Sequence, residues 1–110
     1  MDKLLKLIDE NLQREELDVD YLCKNLFISR TGLYQKIKSI SDQPVGEFIR
    51  TARLNKGVYI MTHEDINLNE LIDRIGFQSV SYFSRAFKKE FGVTQSQFVQ
   101  DLNKKKQLLE

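Results

Sequence analysis

The stretch GFQSVSYFSRAFKKEFGVT, residues 76–94, decides the fold of this chain. Ser79 is a suitable helix N-cap, because a serine side chain accepts a hydrogen bond from a free backbone amide of the first turn. Beyond it, aromatic rings recur at the four-residue steps expected of a buried helical stripe, at Phe83, Phe87 and Phe91. Gly76 and Gly92 can adopt the left-handed conformation in which helices commonly end. The stretch therefore predicts a turn followed by a helix that stops at Gly92.

The same pattern occurs once earlier in the chain. At an offset of 50 residues, four positions match: Ser29, Leu33, Ile37 and Lys38 correspond to Ser79, Phe83, Phe87 and Lys88. At an offset of 49, the apolar positions before them match: Leu22, Cys23 and Leu26 correspond to Leu71, Ile72 and Ile75. The second turn is therefore one residue longer than the first. A repeated short helix, turn and longer helix is typical of a duplicated helix-turn-helix, whose second helix lies in the DNA major groove.

Three helices are predicted ahead of the single proline. Apolar residues at three- and four-residue steps indicate a first amphipathic helix from about Asp2 to Gln13, through Leu4, Leu5, Ile8 and Leu12. Asp18 or Asp20 is the expected cap of a short second helix. Ser29 is the expected cap of a third, which reaches about Ile40.

Pro44, which is tolerated in the first turn of a helix, opens a linker helix through about His63. Roughly 18 residues at about 1.5 Å each give about 27 Å, close to the roughly 34 Å between successive major-groove faces of DNA. One chain can then span adjacent grooves, so its site need not be palindromic.

Two short predictions complete the fold. Asn67 or Asn69 begins a helix that Gly76 ends, and Thr94 caps a last helix through about Lys105. The expected class is all-α, with seven helices and no strands in one domain over residues 1–110. We expect a first helix-turn-helix subdomain over about 1–43, the linker over about 44–63 and a second subdomain over about 64–106.

The composition of 41% hydrophobic and 30% charged residues is typical of a soluble globular protein. No apolar run approaches the roughly 18 residues that span a bilayer, and the start of the chain lacks the features of a secretory signal. We therefore expect a cytoplasmic protein without membrane contact. The net charge of +1 is uneven, because residues 1–20 carry −4 and the remainder carries +5. Placement matters more than the sum for attracting a nucleic acid.

Residue types for other chemistry are sparse. One cysteine, Cys23, and one histidine, His63, offer no zinc spacing, so we expect neither metal nor cofactor. We find no catalytic constellation at a suggestive spacing and expect no enzyme. Cys23 is interpreted as a buried small apolar residue and His63 as favouring the linker-helix dipole. The run Lys104 to Lys106 is interpreted as a frayed, solvated tail, with phosphate contact as the alternative.

These residues resemble the C-terminal DNA-binding domain of the AraC/XylS family of bacterial transcription regulators. The resemblance extends over nearly the whole chain and is most specific over residues 76–94, with further similarity at 29–38 and 47–54. Within that family, these stretches of sequence are most similar to the output domains of hybrid two-component regulators. The resemblance implies sequence-specific binding of double-stranded DNA, leaves open a contact with RNA polymerase, and implies effector or signalling domains in the full-length protein. We accordingly expect this chain to be a fragment of a larger regulator.

The chain departs from the family pattern at a few positions. Ile72 and Gly57 stand where that pattern usually has alanine, and Phe27 replaces the usual glycine of the first turn. Gln95 replaces the usual proline after Thr94. The basic residue usual near Phe98 and Val99 is absent, which predicts one phosphate contact fewer.

Once the inward stripes are assigned, the remaining faces of the two longer helices are free for DNA. The expected base contacts are Arg30, Thr31, Tyr34, Gln35, Gln78, Val80, Ser81, Ser84 and Arg85. For Thr31, Tyr34 and Gln35 this is the position that the resemblance implies. Arg85 is the best suited to bidentate hydrogen bonding with guanine, and Val80 can meet a thymine methyl. The expected phosphate contacts are Ser29, Lys36, Lys38, Arg50, Ser79, Lys88 and Lys89.

Two alternatives stay open. Tyr34 either enters the groove or covers the edge of the core, whereas Tyr82 is interpreted as structural. The rival to a DNA-binding function is a helical protein–protein interaction module that keeps the fold but has lost DNA affinity, which the low net charge and the absent basic residue make a real alternative.

Overall fold

The computed structural model describes residues 3–109, and within them the chain forms seven α-helices and no strands. The helices are α1 Lys3–Glu10, α2 Val19–Leu26, α3 Arg30–Ile40, α4 Val45–His63, α5 Leu68–Ile75, α6 Val80–Phe91 and α7 Gln95–Leu109. The predicted all-α class and helix order are confirmed over this part of the chain.

The predicted caps begin the helices of both copies of the repeat. The hydroxyl of Ser29 accepts a hydrogen bond from the amide of Gly32 at 3.0 Å, and that of Ser79 accepts one from Tyr82 at 3.1 Å. Asp18 and Asn67 cap the two short helices in the same way, because the side-chain oxygen of each accepts a hydrogen bond from a backbone amide at 2.9 Å. Each cap satisfies one of the amides that a helix N-terminus leaves free. Of the paired alternatives, Asp18 and Asn67 are the caps, not Asp20 and Asn69.

The turns of the two units differ as predicted by one residue. We call α2–α3 the first unit and α5–α6 the second unit. Three residues, 27–29, separate the helices of the first unit, and four, 76–79, separate those of the second. Each turn opens on a left-handed residue, Phe27 at φ 55° and Gly76 at φ 80°. In both units, therefore, the backbone leaves the short helix through a left-handed residue.

Two hydrophobic cores lie along the chain. The first core is aliphatic and contains Leu4, Ile8, Leu12, Leu17, Leu22, Leu33, Ile37, Val45 and Ile49. The second core is partly aromatic and contains Leu54, Ile60, Leu71, Ile72, Ile75, Phe77, Phe83 and Phe87. Because α4 contributes residues to both cores, it fixes the two halves to each other rather than merely connecting them.

The linker helix α4 has 19 residues, which at about 1.5 Å per residue makes it about 28 Å long. The whole described body measures 49 × 25 × 22 Å. Its long axis therefore exceeds the roughly 34 Å of one DNA turn.

Gly57 explains how α4 packs against the second unit. It is buried, and a Cβ atom added there would lie 3.2 Å from Cδ1 of Ile75 and 3.7 Å from Cε1 of Phe83. The missing side chain gives these two large residues their room. Ile72, another departure from the family pattern, is buried in the same core.

The predicted ends of α1 and α7 were wrong, and α7 continues to Leu109 beyond the predicted end at about Lys105. α1 ends at Glu10 instead of Gln13, because the amide of Asn11 bonds to the carbonyl of Ile8 and its side chain bonds to that of Leu7. Leu12 is nevertheless buried, in the turn that follows. The predicted start at Asp2 lies outside the described residues. Pro44 is the N-cap of α4 rather than its first residue.

Two further predictions about the second half are corrected. Phe91 is 36% exposed, because it is the last residue of α6. Its ring packs against the ring of Phe87, with 4.6 Å between the two ring centroids. The run Lys104 to Lys106 is exposed but not frayed, since α7 continues to Leu109. Residues 95–109 contain no glycine or proline that would end the helix earlier.

Candidate nucleic-acid interface

The first candidate recognition helix, α3, is anchored by Leu33 and Ile37, both buried in the first core. Its opposite face is exposed and carries the predicted base-contacting residues Arg30, Thr31, Tyr34 and Gln35 together with Lys38. Tyr34 is 47% exposed, so its ring is available at the surface although one side rests on the protein. Ser29 is exposed at the cap, and Lys36 is half-buried on the flank.

Arg30 is not free at the start of α3. Its guanidinium donates a hydrogen bond from Nη2 to Oδ1 of Asp20, on α2, at 2.5 Å. The charge of this carboxylate raises the pKa of Arg30 above its usual value. A DNA base must therefore compete with Asp20 for this side chain.

The second candidate recognition helix, α6, is anchored by Phe83 and Phe87, both fully buried. The outward residues are Gln78, Ser79, Val80, Ser81, Arg85, Lys88 and Lys89, all exposed, whereas Ser84 is half-buried. Within residues 3–109, no carboxylate lies within ion-pair distance of Arg85. The guanidinium of Arg85 is thus available for a ligand, unlike that of Arg30.

Each candidate recognition helix borders a cleft beside the linker helix. One cleft lies between α4 and α6 and is lined by Gln43, Glu47, Arg50, Thr51, Leu54, Tyr82, Arg85, Ala86, Lys89 and Glu90. The other lies beside α3 and is lined by Val19, Tyr34, Ile37, Lys38, Ser41, Asp42, Gln43, Pro44 and Val45. Gln43 lines both clefts, and its side-chain amide donates to the hydroxyl of Thr51 at 2.9 Å. The loop between α3 and α4 is thus held to α4 beside both clefts.

Arg50 joins the linker helix α4 to α6 at the first of these clefts. Its Nη1 donates to the hydroxyl of Tyr82 at 3.3 Å, and its Nη2 lies 3.8 Å from a carboxylate oxygen of Glu47. The hydrogen bond to Tyr82 is the main reason that the pKa of Arg50 is raised. Tyr82 also packs edge-on against Phe77, so it is structural and yet presents its hydroxyl to the cleft.

Tyr82 and Gln43 are two of the cleft residues that the sequence did not single out for DNA contact. Tyr82 follows Ser79 by three positions, one turn along α6, and that spacing is the only signal that placed it near the outward face. Gln43 lies in the loop between α3 and α4, where periodicity gives no guidance.

Cys23 and His63 line neither of these clefts. Cys23 is half-buried against the first core. His63 is the last residue of α4, where Nδ1 lies 2.8 Å from the carbonyl of Tyr59 and the two rings stack. Residues 3–109 contain no group of histidine, cysteine or acidic side chains arranged to hold a metal ion. In the same part of the chain, no helix is both long and apolar enough to cross a membrane.

Comparison with known proteins agrees with this architecture. The sequence profile described as "Helix-turn-helix domain" matches residues 22–101, which include both units and the linker. The chain belongs to the AraC/XylS family. It is 34% identical over 96 residues to "Histidine kinase P4" of Formosa agariphila, covering 87% of this chain and 7% of that protein. It is 26% identical over 98 residues to "HTH-type transcriptional activator RhaR" of Salmonella schwarzengrund, covering 89% of this chain and 34% of that protein.

A solved structure shares the fold of this AraC/XylS member. The DNA-binding domain of AdpA, described as a global transcriptional factor in complex with a target DNA, superimposes with a TM-score of 0.80 at 18% identity. The match covers 94% of this chain and 92% of that one. The seven-helix arrangement with a central linker is therefore the fold that these two domains have in common.

Proposed function

We propose that this chain binds double-stranded DNA at a specific sequence, with α3 and α6 in successive major grooves, and thereby regulates bacterial transcription. One observation carries the proposal. Two helices with matching serine caps expose polar faces and border clefts beside α4, in a body 49 Å long that exceeds one turn of DNA. That arrangement fits the repeat of B-DNA.

Base recognition is assigned to the exposed residues of the two helices. The proposed base contacts are Arg30, Thr31, Tyr34 and Gln35 from the first unit and Gln78, Val80, Ser81, Ser84 and Arg85 from the second. Arg85 is assigned to guanine, since an unpaired guanidinium can donate two parallel hydrogen bonds to O6 and N7. Arg30 is assigned a weaker role, because Asp20 already accepts from it.

Phosphate contacts are assigned to residues beside these faces and at the helix caps. They are Ser29, Lys36, Lys38, Arg50, Ser79, Lys88 and Lys89. The free amides at the N-termini of α3 and α6 add donors next to the two serines, since the positive end of a helix dipole attracts phosphate. Such contacts orient the protein without reading sequence.

The role in a longer regulator is proposed from the relatives. The chain spans only 7% of the kinase and 34% of RhaR, so we assign the domain a DNA-binding role beside effector or signalling domains, as in a hybrid two-component regulator of the cytoplasm. RNA polymerase is a proposed second partner. We assign subdomains to about 1–43 and 64–106, joined by the linker at about 44–63. The family is one of DNA-binding regulators, and no catalytic role is proposed for this chain.

The test begins with selection of bound duplexes from a random-sequence library, followed by titration of the enriched duplex at several salt concentrations. The five basic phosphate contacts predict that the logarithm of the affinity falls with the logarithm of salt at a slope of about −4 to −5. A scrambled duplex should bind far more weakly at every salt concentration. Failure to enrich any sequence, or equal weak affinity for both duplexes, would instead favour the rival interaction module, which the net charge of +1 supports.

A further inference from the structure

The linker helix carries three basic side chains at three-residue steps, and each bonds to a different neighbouring segment. Arg50 bonds to Tyr82 of α6, as described above. Arg53 bonds to the loop after α1, and Lys56 lies 3.3 Å from a carboxylate oxygen of Asp9 on α1. The linker is therefore braced along its length by α6, by α1 and by the loop after α1.

Arg53 makes the most demanding of these contacts. Its Nε donates to the carbonyl oxygen of Leu12 at 3.2 Å, and its Nη2 donates to the carbonyl oxygen of Arg14 at 3.0 Å. The Arg53 side chain is half-buried, and this burial lowers the pKa of Arg53 below its usual value. The planar fork of arginine can bond two carbonyls at once, which the single nitrogen of lysine cannot reproduce.

The turn of the second unit abuts the same carbonyl. A Cβ atom placed on Gly76 would lie 1.9 Å from the oxygen of Leu12 and 3.1 Å from Nε of Arg53. Glycine thus lets the backbone of the second turn approach the loop after α1. Three segments that are distant in sequence meet at this point, namely residues 11–14, the middle of α4 and the turn 76–79.

The meeting point connects the two cores directly. Leu12 is 2% exposed in the first core, so the position of its carbonyl is fixed by that core. Gly76 directly follows Ile75, which is fully buried in the second core. Any rotation of one unit about the linker axis would have to break the hydrogen bonds of Arg53 or separate Gly76 from Leu12.

We propose that Arg53, held between the Leu12 carbonyl and Gly76, is a positioning residue that sets the spacing and rotational phase of the two DNA half-sites that this chain accepts. The proposal rests on the proposed function, and it assigns no DNA contact to Arg53 itself. It explains why a half-buried cation is directed at main-chain carbonyls inside the body rather than at the exposed face.

The helical geometry of DNA makes the positioning role of Arg53 testable, because the spacing of the two half-sites can be changed in known steps. Inserting one base pair between the half-sites moves the second by about 3.4 Å and rotates it by about 35°, because a turn contains about 10 to 10.5 base pairs. A rigid pair of helices cannot follow that change and loses contacts at one half-site. A loosened pair can follow it and keeps them.

The test uses three duplexes derived from the sequence that the wild-type chain enriches from a random library: the selected spacing, one base pair removed and one inserted. For wild type we expect the shifted duplexes to bind about 30-fold more weakly, a loss within the range of one or two mismatched base pairs. For Arg53→Met, which keeps the stem but removes the donors, we expect that ratio to fall to about 5-fold. Arg53→Lys should lie between the two.

The matched control is Arg74→Met. Arg74 donates to both carboxylate oxygens of Glu64, at 2.8 and 3.1 Å, and this pair ties α5 to the residue that follows α4. Arg74 borders a cleft with Leu12 and Gln13, but its hydrogen bonds go to Glu64 and not to the backbone of the loop after α1. The control should keep the wild-type ratio even where its overall affinity is lower.

An Arg53→Met chain that binds all three duplexes more weakly by the same factor would overturn the proposal, because loss of stability alone lowers affinity without altering the ratio. Should Arg53→Met be unfolded at the assay temperature, as thermal unfolding will reveal, Arg53→Lys decides on the same criterion. A wild-type chain that enriches a sequence but binds the three spacings equally would overturn the positioning role of Arg53 and leave the proposed DNA binding intact. A wild-type chain that enriches no sequence from the library would overturn both the proposed function and the positioning role of Arg53.

Discussion

The two helix-turn-helix units begin with the same caps and yet differ at the residue that opens the turn. In the first unit Phe27 holds a left-handed conformation at φ 55°, with its side chain 93% exposed. In the second, Gly76 holds φ 80° with the Leu12 carbonyl directly against its Cα. A side chain is tolerated at the first turn because nothing lies there, and it is impossible at the second. The neighbouring segment, and not the motif, decides which turn requires glycine.

The units also differ in the freedom of their arginines. Arg30 on α3 is bonded to Asp20, whereas Arg85 on α6 is exposed and, in the described chain, has no acidic partner. The second unit is thus better prepared to read a base through arginine. We therefore expect base recognition by the first unit to depend more on Thr31, Tyr34 and Gln35.

The largest expected effect is the substitution Gly76→Ala. Its Cβ would overlap the Leu12 carbonyl, and left-handed strain adds about 1 to 2 kcal/mol, so we expect a loss of about 4 kcal/mol in the free energy of unfolding. Gly92→Ala is the matched control, since Gly92 has φ 79° but nothing within 4 Å of an added Cβ, and it should cost only about 1 kcal/mol. Urea unfolding measures both. Equal losses would show that the contact with Leu12 carries no weight.

The next effect is on DNA affinity. Arg85→Ala should weaken binding to the selected duplex by about 1 to 3 kcal/mol and relax the preference at one base position. Arg30→Ala should cause a smaller loss, because Asp20 already competes for that side chain. Binding to duplexes mutated at each position measures both. An Arg85→Ala chain with an unchanged base preference would refute the assignment to guanine.

At the serine caps we expect the two units to behave alike. Ser29→Ala and Ser79→Ala each remove one amide acceptor from a helix N-terminus, and each should cost about 1 kcal/mol of unfolding free energy. Thermal or urea unfolding of the two variants compares them directly. A clear difference between the variants would mean that the caps are less equivalent than their hydrogen bonds indicate.

The smallest effect is a gain. Phe27→Gly removes the strain of a left-handed phenylalanine at a site where the side chain makes little contact, and the greater chain entropy of glycine offsets part of the benefit. We expect a stabilisation of about 0.5 kcal/mol. Destabilisation in urea unfolding would reveal that the Phe27 ring does contribute to the fold.

Local features of this fold could be predicted from the sequence. The serine caps, the left-handed Gly76 and Gly92, and the one-residue difference between the turns all depend on residues within one or two helical turns of each other. The repeat then supplied the order of the helices without any long-range information. The outward faces followed by exclusion, once Leu33 and Phe83 were assigned to the cores.

Long-range features could not be predicted. Arg53 bonds to backbone carbonyls about 40 positions away, and a carbonyl carries no side-chain signature in the sequence. The pair between Arg30 and Asp20 depends on how α2 lies against α3. Phe91 was assigned to the buried stripe on periodicity, but periodicity does not report that the supporting core ends one turn earlier.

The central claim, that one chain reads two successive major grooves, is tested most directly by missing-base interference on the selected duplex. We predict two clusters of bases whose removal weakens binding, centred about 10 to 10.5 base pairs apart on one face of the helix. A single cluster, or two clusters separated by a half-integral number of turns, would contradict it.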